Sequence, residues 1–168
     1  DDGKNEAESY QRARDAATRA GVPLMTHHNF SSVSLDDCPG LMKKGDIYTH
    51  CFHGYPNTIL EPKSKKIISC VEKARSEGVL FDVGHGMGSF SWPVAEACAR
   101  QGIWPDTIST DIHSLNIDGP VYDLPTVMTR LLHIGMPLVE VVRASTIAPA
   151  KAIGWDHQIG TLEVGREA

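Results

Sequence analysis

The chain reads as an α/β protein, a partial TIM-like (β/α)8 barrel of about four βα units, and three observations predict this. Short apolar runs alternate with helical periodicity at a spacing of roughly 25 to 35 residues, the rhythm of parallel strands joined by crossover helices. Each run stops at or near a histidine or aspartate, in "VPLMTHH", "DIYTHCFHG", "VLFDVGHG" and "TISTDIH". Side chains delivered from the ends of parallel strands converge at one mouth of a barrel, whereas a doubly wound sheet gathers its site at a single switch point. Yet the chain has 168 residues, and a closed eight-stranded barrel takes about 250.

The elements follow in order. Tyr10, Ala13, Ala17 and Ala20 hold helical spacing over Glu6–Ala20, and Gly21 with Pro23 stops the helix. "VPLMTH" is a first strand, and the Ser, Asp, Pro and Gly of residues 30–45 make a loop with at most a short helix around Leu35–Lys43. "DIYTHCF" is a second strand. Ile67, Val71 and Ala74 mark a helix ended by Gly78, before a third strand, "GVLFDV". A glycine loop, "GHGMGS", leads to a helix over Trp92–Gln101, then to a fourth strand, "DTISTDI". Helices are expected over Leu124–Ile134 and Leu138–Ala144, with a short one in "STIAPAKAIG". Residues 1–158 are read as the barrel portion and 159–168, "IGTLEVGREA", as a strand leaving the repeat.

Composition narrows the class. With 41% hydrophobic and 22% charged residues and a net charge of -5, the chain is a soluble globular type with no electrostatic reason to bind nucleic acid. Its apolar runs are far shorter than a membrane span and no signal-like segment opens it, so a cytoplasmic location without membrane association is expected. Cys38, Cys51, Cys70 and Cys98 contain no close pair, which favours free, packed thiols over staples or a CxxC site.

The polar strand ends carry the chemistry. Adjacent residues on a strand point opposite ways, so only one of His27 and His28 can face the mouth, and spacing does not choose. His50 and His53 pose the same question. Imidazoles and a carboxylate are a zinc-type donor set with room for water, and His27, His50 and Asp111 would supply it. Asp111, ending "TIST", is costly to bury unless paired or metal-bound, and could orient a water and accept its proton as a general base. His85, between Gly84 and Gly86, suits contact with substrate, and Asp82 could hold a neighbouring group in place. His53, His113 and Asn116 are further candidates for the substrate-facing wall. The glycine loop lacks the Lys-Ser/Thr ending of a nucleotide loop. Cys51 follows His50 directly and diverges from it, so no Cys-His dyad forms.

On "PLMTHH", "GDIYTHCFHG", "LFDVGHGMGSFSW", "PDTISTDIHSLNIDGPVYDLPTVMTRLLHIGMPL" and "STIAPAKAIG…IGTLEVG", the chain resembles the C-terminal half of the amidohydrolase superfamily. The similarity is to its dihydroorotase-like and deacetylase metallohydrolases. The resemblance implies barrel strands 5–8, one or two divalent metals, usually Zn2+, and hydrolysis of a cyclic amide, acyl-amide or ester bond in a small molecule. It assigns His27 and His50 to the single-histidine ligands of strands 5 and 6, and Asp111 to the strand 8 ligand and proton shuttle. The closing segment corresponds to the chain's return toward a small β-sandwich. Neither the family's His-x-His nor its strand-end lysine occurs here, so metal would be held singly or weakly and the chain alone would be inactive. Unpaired barrel edges predict self-association, with two half-barrels closing about an approximate two-fold axis. The alternative expectation is a metal-free, non-catalytic half-barrel fragment or assembly module.

Overall fold

Apolar and β-branched residues pair as three short parallel strands, β1 (Met25–His27), β2 (Ile47–Thr49) and β3 (Leu80–Phe81), in the order β1-β2-β3. A computed structural model describes residues 5–167. The register sets Met25 beside Ile47, His27 beside Thr49, and Tyr48 beside Phe81. Parallel pairing brings every C-terminal strand end to one edge, which is what gathers the site residues.

Helices α1 (Glu6–Ala20), α2 (Ser69–Ser76), α3 (Trp92–Ala99), α4 (Leu124–His133), α5 (Leu138–Ser145) and α6 (Ile147–Ala152) fall where the apolar periodicity places them. Gly21 adopts a left-handed φ of 67° and receives the end of α1, as a helix-terminating glycine does. Asp123 caps α4 by accepting from the Thr126 amide at 2.7 Å, with Pro125 in the first turn. The core lies between the sheet and the helices. Tyr48, Phe52, Phe81, Val71, Val127 and Leu131 are almost wholly withdrawn from water there, and this burial is the main stabilising term. Helix α1 buries none of its residues. It is held by Tyr10, whose hydroxyl donates to the Asp37 carbonyl at 3.0 Å, and by Glu6, which accepts from Ser32.

Two expected strands are corrected. The fourth, over 106–112, shrinks to one parallel bridge between Asp82 and Thr107. The Val83, His85 and Gly86 amides still donate to the carbonyls of Thr107, Ser109 and Thr110, but Ile108 turns its amide to Ala144 at the end of α5. The ladder is answered from the other side only at the bridge, where the Asp106 and Thr107 amides donate to the Phe81 carbonyl. Residues 159–167 form bends and turns, because no neighbouring strand offers them a ladder. Lys4 and the rest of 1–4 lie outside the described residues, as does residue 168. Among the described residues all four cysteines are free, and no helix is long and apolar enough to cross a membrane.

Candidate metal centre

His27 closes β1, His50 follows β2 directly, and Asp111 ends the bridged fourth segment, so parallel pairing carries all three to one cleft of about 390 Å³. The His27 and His50 rings meet edge to face with centroids 4.4 Å apart. A Cβ placed on Gly86 would stand 2.6 Å from Asp111 Oδ2, and one on Gly84 2.7 Å from His50 Nδ1. The glycine loop therefore lets the backbone approach both groups closely, and its φ values of 45° at Gly84 and 55° at Gly86 also favour glycine. His50 and Asp111 are themselves left-handed, at φ 61° and 49°. Such backbone is uncommon outside glycine, though least so for His, Asn and Asp, and it tends to cluster at functional sites.

Hydrogen bonds decide the ring states. His50 Nδ1–H donates to the Gly84 carbonyl at 2.5 Å. A carbonyl only accepts, so Nδ1 holds the proton and Nε2 keeps its lone pair, the arrangement of a metal-ligating histidine oriented from behind. His28 takes the other course: Nε2–H donates to the Val33 carbonyl at 2.8 Å and Nδ1 accepts from the Tyr48 hydroxyl at 3.1 Å. That spends both of its nitrogens in the packed layer and leaves His27 as the member of the pair facing the cleft. Burial first, and His50 second, push His27 below the usual histidine range, while Asp111 pulls it up. Asp111 is exposed rather than buried, so the burial cost expected for it does not apply. The cleft is open on its side.

Two imidazoles and a carboxylate match the nitrogen and oxygen donors of a divalent ion such as zinc, with positions left for water. In chemistry and in the freed His50 nitrogen the set fits an ion. In closure it does not, because among the described residues no three His, Cys, Asp or Glu side chains are drawn together tightly enough to hold one.

The other predicted residues are not among those that line this cleft. His85 is buried, its Nδ1–H donates to Gly86 O at 2.8 Å, and its ring stacks on Phe90 with centroids 4.7 Å apart. Burial pushes His85 below the usual histidine range, against the upward pull of the Gly86 bond, and the adjacent Arg130 adds to the lowering. Asn116 is fully buried. Its Oδ1 accepts from the His113 amide at 2.8 Å and its Nδ2 donates to the Asp111 carbonyl at 2.9 Å, so it holds Asp111 from beneath. His113 is exposed and accepts the Leu115 amide at its own Nδ1. His53 is also fully buried and stacks against Tyr55, with neither ring nitrogen partnered among the described residues.

Burial first, then His28, His50 and His27 around it, lower the His53 pKa from 6.5 to about 4. A depressed histidine contributes stability that is full above the unfolded value and is lost as pH falls through the folded one, because the unfolded chain takes the proton first. Between pH 6.5 and about 4 the wild type is expected to lose on the order of 2 kcal/mol more stability than His53→Gln. Urea midpoints of both proteins across that window check it, and parallel pH curves would remove His53 as the cause.

Two further residues shape this region: Asp82, which the sequence offered as holding a neighbouring group in place, and Arg130, which it did not single out. Asp82 is 2% exposed. Its Oδ2 accepts from Thr49 Oγ1 and Ser109 Oγ, both at 2.6 Å, and its Oδ1 from Thr107 Oγ1 at 2.7 Å, joining three adjacent strand ends beneath the cleft. Arg130 reaches from α4 to donate through Nη1 to His85 Nε2 and through Nη2 to the Pro120 carbonyl. A larger cleft, of about 830 Å³, opens at the opposite ends of the strands, near Leu24, Asp46, Leu80 and Asp106. It contains none of the predicted histidines, and that face of a barrel serves stability rather than chemistry.

Residues 34–168 match the Amidohydrolase family. The chain belongs to the amidohydrolase family. It is 43% identical over 148 residues to a deacetylase of Enterococcus faecalis, an alignment taking in 88% of this chain and 40% of that protein. To a deacetylase of Agrobacterium fabrum it is 38% identical over 148 residues, 88% of this chain and 36% of the relative. Among solved amidohydrolase structures, an adenine deaminase superposes with a TM-score of 0.92 at 40% identity, over 99% of this chain and 45% of that one. A dihydroorotase superposes at 0.81 with 37% identity, over 92% and 40%. The chain thus spans less than half the length of each of these relatives.

Proposed function

We propose that this chain supplies strands 5–8 of an amidohydrolase barrel, with 159–168 leaving it, in a metal-dependent hydrolase that cleaves a C–N or ester bond of a small acylated molecule. The observation that carries the reading is the joining of His27, His50 and Asp111 at one cleft, with His50 Nε2 freed by its bond to Gly84. Relatives named deacetylases support acyl release over other hydrolyses.

His27 and His50 would hold a divalent ion, Zn2+ or a similar metal, with Asp111 completing the set. Such an ion supplies Lewis acidity, polarising a carbonyl and acidifying water. Asp111 orients the attacking water, takes its proton on a carboxylate oxygen and returns it to the leaving nitrogen or oxygen. Asn116 fixes the Asp111 backbone, and Asp82 fixes Thr49 and Ser109 in the cleft wall. His85, on the glycine loop, and His113, on the loop after Asp111, face substrate. His53, beneath them, supports that wall.

A second reading has its own support, since the donor set is not closed: a metal-free half-barrel that acts as an assembly module. Elemental analysis after dialysis against chelator-free buffer, run with a native mass, separates the two. The hydrolase reading expects about one divalent ion per chain in a self-associated form, lost on His27→Ala or His50→Ala. A metal-free assembly would overturn it in favour of the module.

A further inference from the structure

The larger cleft, of about 830 Å³ at the N-terminal ends of the strands, gathers cations that the sequence keeps apart. Arg14 of α1, Lys43 and Lys44 of the loop before β2, Arg143 of α5 and Lys151 of α6 all line it. Only Lys43 and Lys44 are neighbours in a chain whose net charge is -5, so the fold rather than a basic run makes this positive face. Its two lining carboxylates are spent elsewhere. Asp46 accepts from the Leu24 and Lys43 amides, both at 2.8 Å, while Asp106 accepts from the Phe81 amide at 2.8 Å and pairs at 3.7 Å with Arg75, outside the lining. Among the described residues Arg14, Lys43, Lys44 and Lys151 make no ion pair, and Arg143 meets Glu140 at 2.8 Å. Three of the cations are placed by contacts of their own. Lys43 Nζ donates to Thr18 Oγ1 at 2.9 Å, and the Arg14 guanidinium lies over the Tyr10 ring, 5.7 Å from its centroid. The Lys44 stem runs so close over Gly78 that a Cβ there would stand 2.9 Å from its Cγ.

We infer that this cleft binds a small anion carrying two or more linked phosphate groups. Like charges drawn together without counter-charges raise the potential of a concave face, and they concentrate an anion that neutralises several of them at once. The cleft's size suits a small molecule, since such sites run to about 300–1,000 Å³. Phosphate is favoured over carboxylate by the kind of donor. Three of the four unpaired cations are lysines, whose ammonium groups act as rotatable point charges, and the planar fork that matches a carboxylate is supplied among them by Arg14 alone. Linked phosphates are favoured over a single one because the cations stand on four separate elements. An acidic polypeptide is the competing partner, but it needs an extended track, and these cations line one hollow. The inference does not rest on the hydrolase reading, since none of His27, His50 and Asp111 lies in this cleft.

The test is binding, read residue by residue. The chain, labelled with 15N, is titrated with inorganic pyrophosphate and separately with inorganic orthophosphate at one fixed ionic strength. Pyrophosphate is expected to bind at least about tenfold more tightly, because it meets more of the cations at once. It should shift the amides of Gly21, Gly45 and Gly154, which line this cleft, and leave that of Gly84, in the cleft of His27 and His50, unmoved. Lys44→Gln with Lys151→Gln should weaken binding at least about tenfold, and Lys44→Arg with Lys151→Arg should keep most of it. Lys63→Gln with Lys66→Gln removes the same net charge outside the cleft and should change affinity less than about twofold, since screening confines the effect of exposed charges. All four lysines are exposed, so none of these changes touches the core. Equal affinity for the two anions, no saturable binding of pyrophosphate, shifts centred on Gly84, or equal losses in the two glutamine pairs would each overturn the inference. Tighter binding of a hexaglutamate peptide than of pyrophosphate would also overturn it, in favour of a protein partner. The comparison of the two anions on the wild-type chain needs no variant.

Discussion

Asp111→Asn is expected to lower kcat/KM for acyl release by roughly a thousandfold in an active preparation, the range in which a positioned proton acceptor operates. Asparagine is the informative replacement because Asp111 sits at a left-handed φ of 49°, which asparagine tolerates and alanine resists. The Asn116 bond to the residue 111 carbonyl is made to backbone and survives the change. What is removed is the ability to take a proton and one anionic ligand. Metal analysis of the variant separates the two. A protein that keeps its ion but loses rate and the acidic limb of its pH profile has lost its base. One that loses the ion has lost a ligand. A variant with wild-type rate would eliminate Asp111 from both roles.

The legibility of this site in the sequence depended on what each residue does. Strand ends and helices were readable because burial leaves a periodic apolar record, as Val127 and Leu131 show in α4. Which of His27 and His28 faces the cleft was not readable, because a period of two fixes the alternation but not its phase. The phase is set by Tyr48 and Val33, which take both nitrogens of His28. The fourth strand failed for a similar reason: its residues suit a strand, but the Ile108 amide is claimed by Ala144, a partner far along the chain. Arg130 lay inside an ordinary amphipathic helix, where nothing in spacing tells a solvent-facing arginine from one that reaches across to another loop. Asn116 was read as facing substrate. Its burial and its two bonds to backbone groups give it the work of holding Asp111, a distinction that only loop geometry could supply.

Asp82→Ala is expected to destabilise the chain by about 3–5 kcal/mol, a value set by the groups it would leave behind rather than by the carboxylate alone. Thr49 and Thr107 are buried and, with Ser109, donate their hydroxyls to this one side chain. Removing it strands donors that water reaches poorly, and leaving a buried donor unmet costs more than a typical bond contributes. Asp82→Asn should cost less, because its amide oxygen still accepts and the hydroxyls can rotate toward its nitrogen. Urea unfolding at constant m reads the difference. The sharper test is a reversal of sign. In the wild type, Thr49→Val removes a made bond and destabilises; in the Asp82→Ala background it removes an unmet hydroxyl and is expected to restore about 1 kcal/mol. If Thr49→Val costs the same in both backgrounds, the two groups are not coupled, and the clip beneath the cleft is not what holds the three strand ends in register.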